Sequence, residues 1–318
     1  MTATESLHVD AADPLYVAAR RVLLDALEAL DDHLGAVILV GAQAIYLQVG
    51  EADLEITVAP FTTDADLGID PGRLGADPRI AEAMTEAGFT LKEKNSGGIE
   101  PGTWIATTQV DHLQVPVPVD LLVPEAFAPL RGKRDARLPD HGKNATRWTP
   151  GLEPCLFDNT ERTIASLEPD QDMRTATIRV AGPGALLVAK AHKLAERLAD
   201  EQRDKPHRVK AKDAGDVVRL MRSPTPPDAV GARLANIAQD KLAGPSVIQG
   251  VQRLEKLFGT GRSRGVELAV TSLAGALDED FIRELAPGYI ASLMDAYRGF
   301  RTTSTSDVQG KGQGLDRG

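Results

Sequence analysis

Acidic residues recur at alternate positions of the segment TTDADLGID, residues 62–70. Because side chains alternate between the two faces of a strand, this spacing places Asp64, Asp66 and Asp70 opposite the apolar residues. Two carboxylates two residues apart lie about 7 Å from each other along a strand and repel unless a cation lies between them. Mg²⁺ accepts one or two protein carboxylates and completes its shell with water and phosphate oxygens. The pattern indicates a metal site, the alternative being a solvated acidic strand face.

A second predicted strand offers a third acid. In VPVPVDLLV, residues 115–123, the odd-numbered positions are apolar and Asp120 lies on the other face. If this strand pairs with the one that carries Asp64 and Asp66, three carboxylates converge on one face of a sheet. Such a set can hold two divalent ions, one activating a hydroxyl and one neutralising a leaving pyrophosphate. Alternatively, Asp120 simply ends a strand.

A strand, a glycine and a helix precede the acidic segment. Residues 36–40 form a short apolar run, Gly41 closes it, and a helix is predicted over residues 44–49. Amides at the start of a helix can bind a phosphate group. An ordinary turn between a strand and a helix explains the same residues, so this feature alone is weak.

Basic side chains share one face of a helix predicted after residue 183. Lys190, Lys193 and Arg197 stand at positions i, i+3 and i+7, which puts them on the same side. Asp213 and Asp216 share a face of the following helix in the same way. A solvated charged face is the alternative interpretation of both stripes.

Taken in this order, the motifs resemble the polymerase β type of nucleotidyltransferase, and within it the AbiEii and MenT toxins of prokaryotic toxin–antitoxin systems. The resemblance covers roughly residues 36–222 and rests on short motifs. It implies an α+β fold in which a mixed-sheet nucleotidyltransferase domain is followed by a C-terminal helical bundle. It also implies transfer of a nucleoside monophosphate from an NTP to an acceptor hydroxyl, with Mg²⁺ or Mn²⁺ as cofactor.

The resemblance also implies roles for individual residues. The metal ligands are Asp64, Asp66 and Asp120. The catalytic residues are these three acids with Lys190 and Asp213, the last as a supporting acid that positions the lysine. The nucleotide contacts are Gly41, Ala42, Lys190, Lys193, Arg197 and Asp216. Two positions depart from the pattern: Ala42 replaces a serine whose hydroxyl helps to hold phosphate, and Lys193 replaces a small residue.

Positive charge is concentrated in two segments of a chain whose net charge is −10. Residues 131–147 carry six Lys and Arg against two Asp, and residues 203–212 carry five against one. Concentrated positive charge suits a phosphate-rich acceptor, although flexible solvated loops have the same composition. The resemblance implies an RNA acceptor such as a tRNA 3′ end, and an antitoxin protein as partner.

Two alternative functions stay open: a small-molecule nucleotidyltransferase, and a non-catalytic nucleotide-binding or interaction module.

The length of 318 residues predicts two domains, and so does the change along the chain from mixed strands and helices to helices alone. Mixed strands and helices fill residues 13–180, and helices fill residues 181–302. Residues 1–12 are predicted to be a flexible N-terminus and residues 303–318 a disordered tail. Helices are predicted over residues 278–284 and 287–299, a long surface loop over residues 131–150, and a sheet edge at Pro116 and Pro118.

Other features of the sequence exclude several classes of protein. No apolar run approaches a membrane span and no secretory signal is visible, so we expect a cytoplasmic protein without membrane contact. Cys155, the single cysteine, cannot form an internal disulfide and is expected in the core. The six histidines show no metal-ligand spacing. Hydrolase, P-loop and dinucleotide motifs are absent from the sequence.

Overall fold

The computed structural model describes residues 13–50, 62–128 and 134–310. Several sequence predictions lie outside these ranges, namely those on residues 1–12, Arg131, Lys133 and residues 311–318. Within the ranges, the chain combines an open mixed sheet with a large helical part, which confirms the α+β class. No helix in the described part of the chain has both the length and the apolar character needed to cross a bilayer.

One mixed sheet organises the N-terminal half. Its described strands are β1 (Val37–Val40), β2 (Ala65–Ile69), β3 (Thr90–Glu93), β4 (Ile99–Val110), β5 (Leu113–Pro124), β6 (Arg147–Thr149), β7 (Asn159–Ala165) and β8 (Thr175–Ala181). Their order is β3–β4–β5–β2–β1–β8–β7, and β6 pairs with the end of β5. The pairs β2–β5, β1–β8 and β5–β6 are parallel, and the other neighbours are antiparallel.

Helices cover the sheet and form the C-terminal half. They are α1 (Pro14–Ala29), α2 (Gly41–Val49), α3 (Ile80–Glu86), α4 (Pro183–Glu201), α5 (Ala211–Met221), α6 (Pro227–Ile237), α7 (Gly244–Phe258), α8 (Arg264–Ser272) and α9 (Glu279–Gly310). Helix α1 packs across β2, β4, β5 and β8. Helix α4 packs against α5, α6 and α7 and also touches α2, so it borders both halves of the protein.

Local sequence explains where the first elements begin. The carboxylate of Asp13 accepts hydrogen bonds from the amides of Leu15 (2.8 Å) and Tyr16 (3.3 Å), and proline occupies the first helical position of α1. Strand β1 lies between β2 and β8, and all four of its apolar residues are buried. A strand buried on both sides forms a rigid base for the turn that follows it at Gly41.

The C-terminal helix differs from the prediction. The sequence predicts two helices separated near Pro287, but α9 is one helix with this proline inside it. A proline within a helix removes one backbone hydrogen bond and tends to kink the helix. Packing of α9 against α5, α6, α7 and α8 maintains it. The helix also extends to Gly310, beyond the predicted domain end at residue 302.

The predicted surface loop, residues 131–150, is more ordered where the structure describes it. Its residues 147–149 form β6, and Ala136, His141 and Ala145 are buried. The carbonyl of His141 accepts the amide of Ala81, and that of Ala145 accepts the indole N–H of Trp104. These bonds satisfy the loop backbone against α3 and β4, which the loop's polar composition did not reveal.

The prolines of β5 occupy the part of the strand that β2 does not reach. Pairing with β2 begins at Val119, whereas Pro116 and Pro118 pair only with β4 among the described residues. A proline lacks the amide that a second neighbour would require. The predicted sheet edge is confirmed for the described part of the chain.

Candidate functional site

Two of the predicted acids lie side by side in the sheet. Asp66 of β2 stands directly beside Asp120 of β5 in the parallel register. On its other side, Asp66 stands beside Val40, the last residue of β1. Neighbouring strands lie about 4.8 Å apart, so residues in register present their side chains next to each other on one face. Asp64 directly precedes β2, and both Asp64 and Asp66 are half-buried.

Gly41 lies against the carboxylate of Asp66. Its φ of +68° is in the left-handed region, and a Cβ at this position would come within 1.9 Å of Asp66 Oδ2. Any other residue would therefore collide with the acid as well as strain the backbone. Helix α2 begins at Gly41, and within the described part of the chain the side chain of its N-cap residue, Val40, makes no capping hydrogen bond to its first amides. The glycine thus brings uncapped helix amides next to Asp66.

The carboxylates of Asp64 and Asp120 have partners. The hydroxyl of Thr62 donates to Asp64, and the hydroxyl of Thr103 donates to Asp120 Oδ1 at 2.7 Å. Arg147 Nη2 donates to Asp120 Oδ2 at 2.5 Å. Each oxygen of Asp120 therefore already accepts a hydrogen bond within the protein.

Burial and neighbouring acids raise the pKa of Asp66 and of Asp120. Burial raises the pKa of Asp66 to about 6, and the charges of Asp64 and Asp120 add to the effect. Burial also raises the pKa of Asp120, although Arg147 and Thr103 oppose the shift. Negative charge at Asp66 is thus incompletely compensated, a condition that a bound cation relieves.

The carboxylates of Asp66 and Asp120 are suitable ligands for a divalent cation, although the three predicted acids do not surround one point. Among the described residues, no group of three or more His, Cys, Asp or Glu side chains is arranged to hold a metal ion. Two oxygen donors with excess negative charge, Asp66 and Asp120, are what Mg²⁺ or Mn²⁺ requires from a protein.

The basic face of α4 converges on a buried acid of α5. Asp213 has no exposed surface and accepts contacts from Lys190 Nζ (3.2 Å), Lys193 Nζ (3.4 Å) and the guanidinium of Arg197. Asp216 lies 2.5 Å from Lys190 Nζ on its other side. The sequence-predicted lysines, arginine and supporting acids are therefore all brought together in one network.

The two lysines differ in how far they reach the surface. The side chain of Lys190 is 7% exposed and lies between two acids, whereas that of Lys193 is 44% exposed. Partial desolvation of the side chain and the nearby charge of Lys190 lower the pKa of Lys193 to about 8, and Asp66 opposes this shift. Lys193, which stands where the family pattern has a small residue, is the more exposed of the two lysines.

A cleft of about 280 Å³ lies between Asp66 and the basic face of α4. Helix α4 contributes Leu186, Ala189, Lys190, Lys193, Glu196 and Arg197 to its lining. The remaining lining consists of Val40, Gly41, Asp66, Glu100, Leu122, Arg134, Arg147, Thr149, Pro150, Leu152 and Arg208. The cleft thus combines an uncompensated carboxylate, a set of cations and an apolar portion.

No family model, curated protein or solved structure matches the chain. The chemistry of the cleft must be inferred from its own residues.

Some predicted site residues do not reach the cleft surface. Of the three predicted metal ligands only Asp66 lines the cleft, and Asp64 and Asp120 do not. Asp213 and Asp216 lie beneath the cations, and Ala42 is 7% exposed and does not line the cleft. His192 is buried, with Nε2 2.9 Å from the carbonyl oxygen of Ser246. Cys155 is buried, which confirms its predicted place in the core, and burial raises its pKa.

Several residues of the cleft were not predicted to belong to it. Arg134, Arg147 and Arg208 come from the two basic segments, and Glu100 and Glu196 carried no signal in the sequence. Arg147 reaches the acids because β6 pairs with β5, a contact that local spacing does not encode. The one sign of this in the sequence is an excess of arginine in the segment that follows the strand of Asp120.

Proposed function

We propose that the protein is a Mg²⁺-dependent nucleotidyltransferase that moves a nucleoside monophosphate from an NTP to a hydroxyl of an RNA acceptor. The observation that carries the proposal is one cleft in which Asp66, with Asp120 beside it and Gly41 against it, faces Lys190, Lys193 and Arg197. Under this proposal the mixed sheet is a nucleotidyltransferase domain, and the protein acts as a cytoplasmic toxin that an antitoxin protein restrains.

Asp66 and Asp120 would hold the divalent ion, with Asp64 as a third ligand. When bound, Mg²⁺ neutralises the leaving pyrophosphate and lowers the pKa of the attacking hydroxyl. The half-buried position of Asp66 keeps its carboxylate accessible from the cleft, while Gly41 leaves it the necessary space.

The basic helix would bind the triphosphate. Lys193 and Arg197 present their charged groups to the cleft, and Lys190 lies behind them. Asp213 orients all three cations, because each contacts one of its carboxylate oxygens. The uncapped amides at the start of α2 supply further phosphate donors next to Asp66.

The experiment that tests this proposal is incubation with each α-labelled NTP, Mg²⁺ and total tRNA. We expect label to appear in the RNA with the wild-type protein and to be absent with Asp66→Asn. Asp111→Asn is the matched control, because Asp111 is exposed at the β4–β5 turn and asparagine tolerates its positive φ. Absence of transfer with every NTP, or equal transfer by Asp66→Asn, would contradict the proposal.

A non-catalytic nucleotide-binding module is the second candidate. Two observations favour it: Ala42 offers no hydroxyl to phosphate, and both oxygens of Asp120 already have partners. This candidate predicts nucleotide binding by calorimetry without release of pyrophosphate under any acceptor condition. Transfer of label to a small hydroxyl compound, but not to RNA, would instead favour the small-molecule enzyme.

Lys193→Ala should weaken nucleotide affinity by about one to two powers of ten, since a charge-assisted contact contributes about 1.5–3 kcal/mol. Folding should change little, because the side chain is 44% exposed. Calorimetric titration with a non-hydrolysable NTP measures the affinity, and Lys143→Ala, an exposed lysine that does not line the cleft, is the control. Unchanged affinity in Lys193→Ala would indicate that other groups bind the nucleotide phosphates.

Acceptor binding should depend on the second basic segment and on salt. Lys205, Lys210 and Lys212 are exposed and do not line the cleft, so replacing all three by alanine should leave nucleotide affinity unchanged. The dependence of tRNA affinity on log salt should flatten by about one unit per lysine that contacts phosphate. Filter binding between 50 and 300 mM KCl, roughly the range in which such slopes are measured, checks this. An unchanged slope would remove this segment from the RNA interface.

Substitutions in the first basic segment, residues 131–147, give a less selective test of RNA binding. Arg134 stacks on Trp148 and pairs with Glu196 of α4, so it belongs to the cleft. A variant that replaces it together with Arg131 and Lys133 should therefore affect both nucleotide and RNA binding. Sequence distance from the lysine helix alone would suggest that such a variant leaves NTP binding intact.

A further inference from the structure

Arg147 occupies an unusual place among the cleft residues. Its Nη2 donates to Asp120 Oδ2 at 2.5 Å, and its Nη1 lies 3.7 Å from Glu100 Oε1. Its Nε is buried and has no hydrogen-bond partner among the described residues. The side chain is 24% exposed and lines the cleft. The guanidinium is therefore shared by two acids while one of its donors is unused.

The backbone of Arg147 is held tightly in the sheet. It pairs with Leu122 in the parallel register of β5 and β6. Gly102, with a φ of +71°, allows this approach, since a Cβ there would lie 2.5 Å from the backbone nitrogen of Arg147. The chain thus fixes where the side chain starts, two positions along β5 from Asp120, while the guanidinium end borders open cleft.

The contact supplies positive charge at a candidate ion site. Arg147 opposes the rise in the pKa of Asp120 that burial causes. Both oxygens of Asp120 are engaged, one by Thr103 and the other by Arg147. The guanidinium occupies Oδ2 of Asp120, and Glu100 provides a second carboxylate for it nearby.

We propose that Arg147 is a tethered cation that occupies Asp120 and gives way when a divalent ion binds with Asp66, turning then to Glu100 or to phosphate oxygens in the cleft. The inference rests on the proposed function, because it assumes the ion site at Asp66 and Asp120. Arg147 is a positioning residue in this scheme: it determines when Asp120 becomes a ligand. Removing it makes the ion bind more tightly, whereas loss of a merely structural residue would weaken binding.

Calorimetric titration of the metal-free, nucleotide-free protein with MgCl₂ tests the inference, with the thermal shift per millimolar Mg²⁺ as a second readout. We expect Arg147→Gln to bind Mg²⁺ about tenfold more tightly than the wild-type protein, since a charge-assisted competitor is lost. Arg147→Lys keeps the charge but lacks the guanidinium fork, so its affinity for Mg²⁺ should lie between those of the wild-type protein and Arg147→Gln. Lys143→Gln, a charge removal elsewhere in the same basic segment, should change nothing. Asp66→Asn should lose binding.

The outcomes separate the two proposals. Binding that Asp66→Asn abolishes, but that Arg147→Gln and Arg147→Lys leave equal or weaker, would overturn the role of Arg147 and keep the ion site. Absence of Mg²⁺ binding in every variant would overturn both. Should Arg147→Gln fail to fold, Arg147→Lys decides: tighter binding than the wild-type protein supports the inference, and weaker binding overturns it.

Discussion

Asp66→Asn is expected to lower the rate of nucleotide transfer by about 10³-fold or more while making the metal-free protein more stable. Under the proposed function, the rate falls because the variant loses a carboxylate ligand for the ion that stabilises the transition state. Single-turnover incorporation of labelled nucleotide at saturating Mg²⁺ measures the effect, with Asp111→Asn as control. A variant that keeps its rate would show that Asp66 does not bind the ion.

The gain in stability has a defined dependence on pH. Burial raises the pKa of Asp66 from 3.8 to about 6, so the folded state disfavours the ionised carboxylate. Below about pH 4 the aspartate is protonated in both the folded and the unfolded state and contributes no difference; above about pH 6 it is ionised in both and destabilises the fold fully. A tenfold change in a proton-binding constant corresponds to about 1.4 kcal/mol, so we expect Asp66→Asn to gain about 1–3 kcal/mol at pH 7–8.

Urea unfolding in EDTA between pH 4 and pH 8 measures this gain. The difference between Asp66→Asn and the wild-type protein should grow from pH 4 to pH 6 and then stay constant. Mg²⁺ should reduce it, because the ion stabilises only the wild-type carboxylate. A variant less stable than the wild-type protein at pH 8 would indicate that Asp66 has a structural partner.

Lys190→Ala is expected to destabilise the protein by about 3–5 kcal/mol, the effect of removing one partner from a buried ion pair. The ammonium of Lys190 contacts both Asp213 and Asp216, which are 0% and 5% exposed. Their carboxylates would remain buried with less compensation. Urea unfolding at pH 7.5 measures the loss.

Lys193→Ala is the matched control for this prediction. It removes the same charge one helical turn away, but from a side chain that is 44% exposed, so the loss should stay below about 1 kcal/mol. Equal losses in the two variants would contradict the distinction between a buried supporting lysine and an accessible one. Retained stability in Lys190→Ala would show that Arg197 and Lys193 suffice for the two acids.

Sequence periodicity predicted the faces of the site because it is a local property. Alternation along β2 and β5 placed Asp66 and Asp120 on one side, and helical spacing placed Lys190, Lys193 and Arg197 together. The register between β2 and β5 then made the two acids neighbours. These parts of the prediction needed no more than the two periods of 2 and 3.6 residues.

Strand and helix periodicity could not predict contacts between segments that are distant in the sequence. Asp120 accepts hydrogen bonds from Thr103 and Arg147, and these two partners are set by the registers of β4–β5 and β5–β6. The relative accessibility of the two lysines depends on how α5 packs against α4. The continuity of α9 through Pro287 depends on its packing against other helices. In α9, tertiary contacts override a local preference.

The buried carboxylate of Asp213 has a consequence for selectivity. Lysine and arginine side chains lose up to about 2 kcal/mol of rotational freedom each when they become ordered. Asp213 orders Lys190, Lys193 and Arg197 when the protein folds, so this entropy has been lost before any ligand arrives. Cations held in fixed positions cannot adapt to an arbitrary anion. Under the proposed function, we expect the cleft to favour a ligand whose negative charges match the spacing of these three groups over one that is merely more highly charged.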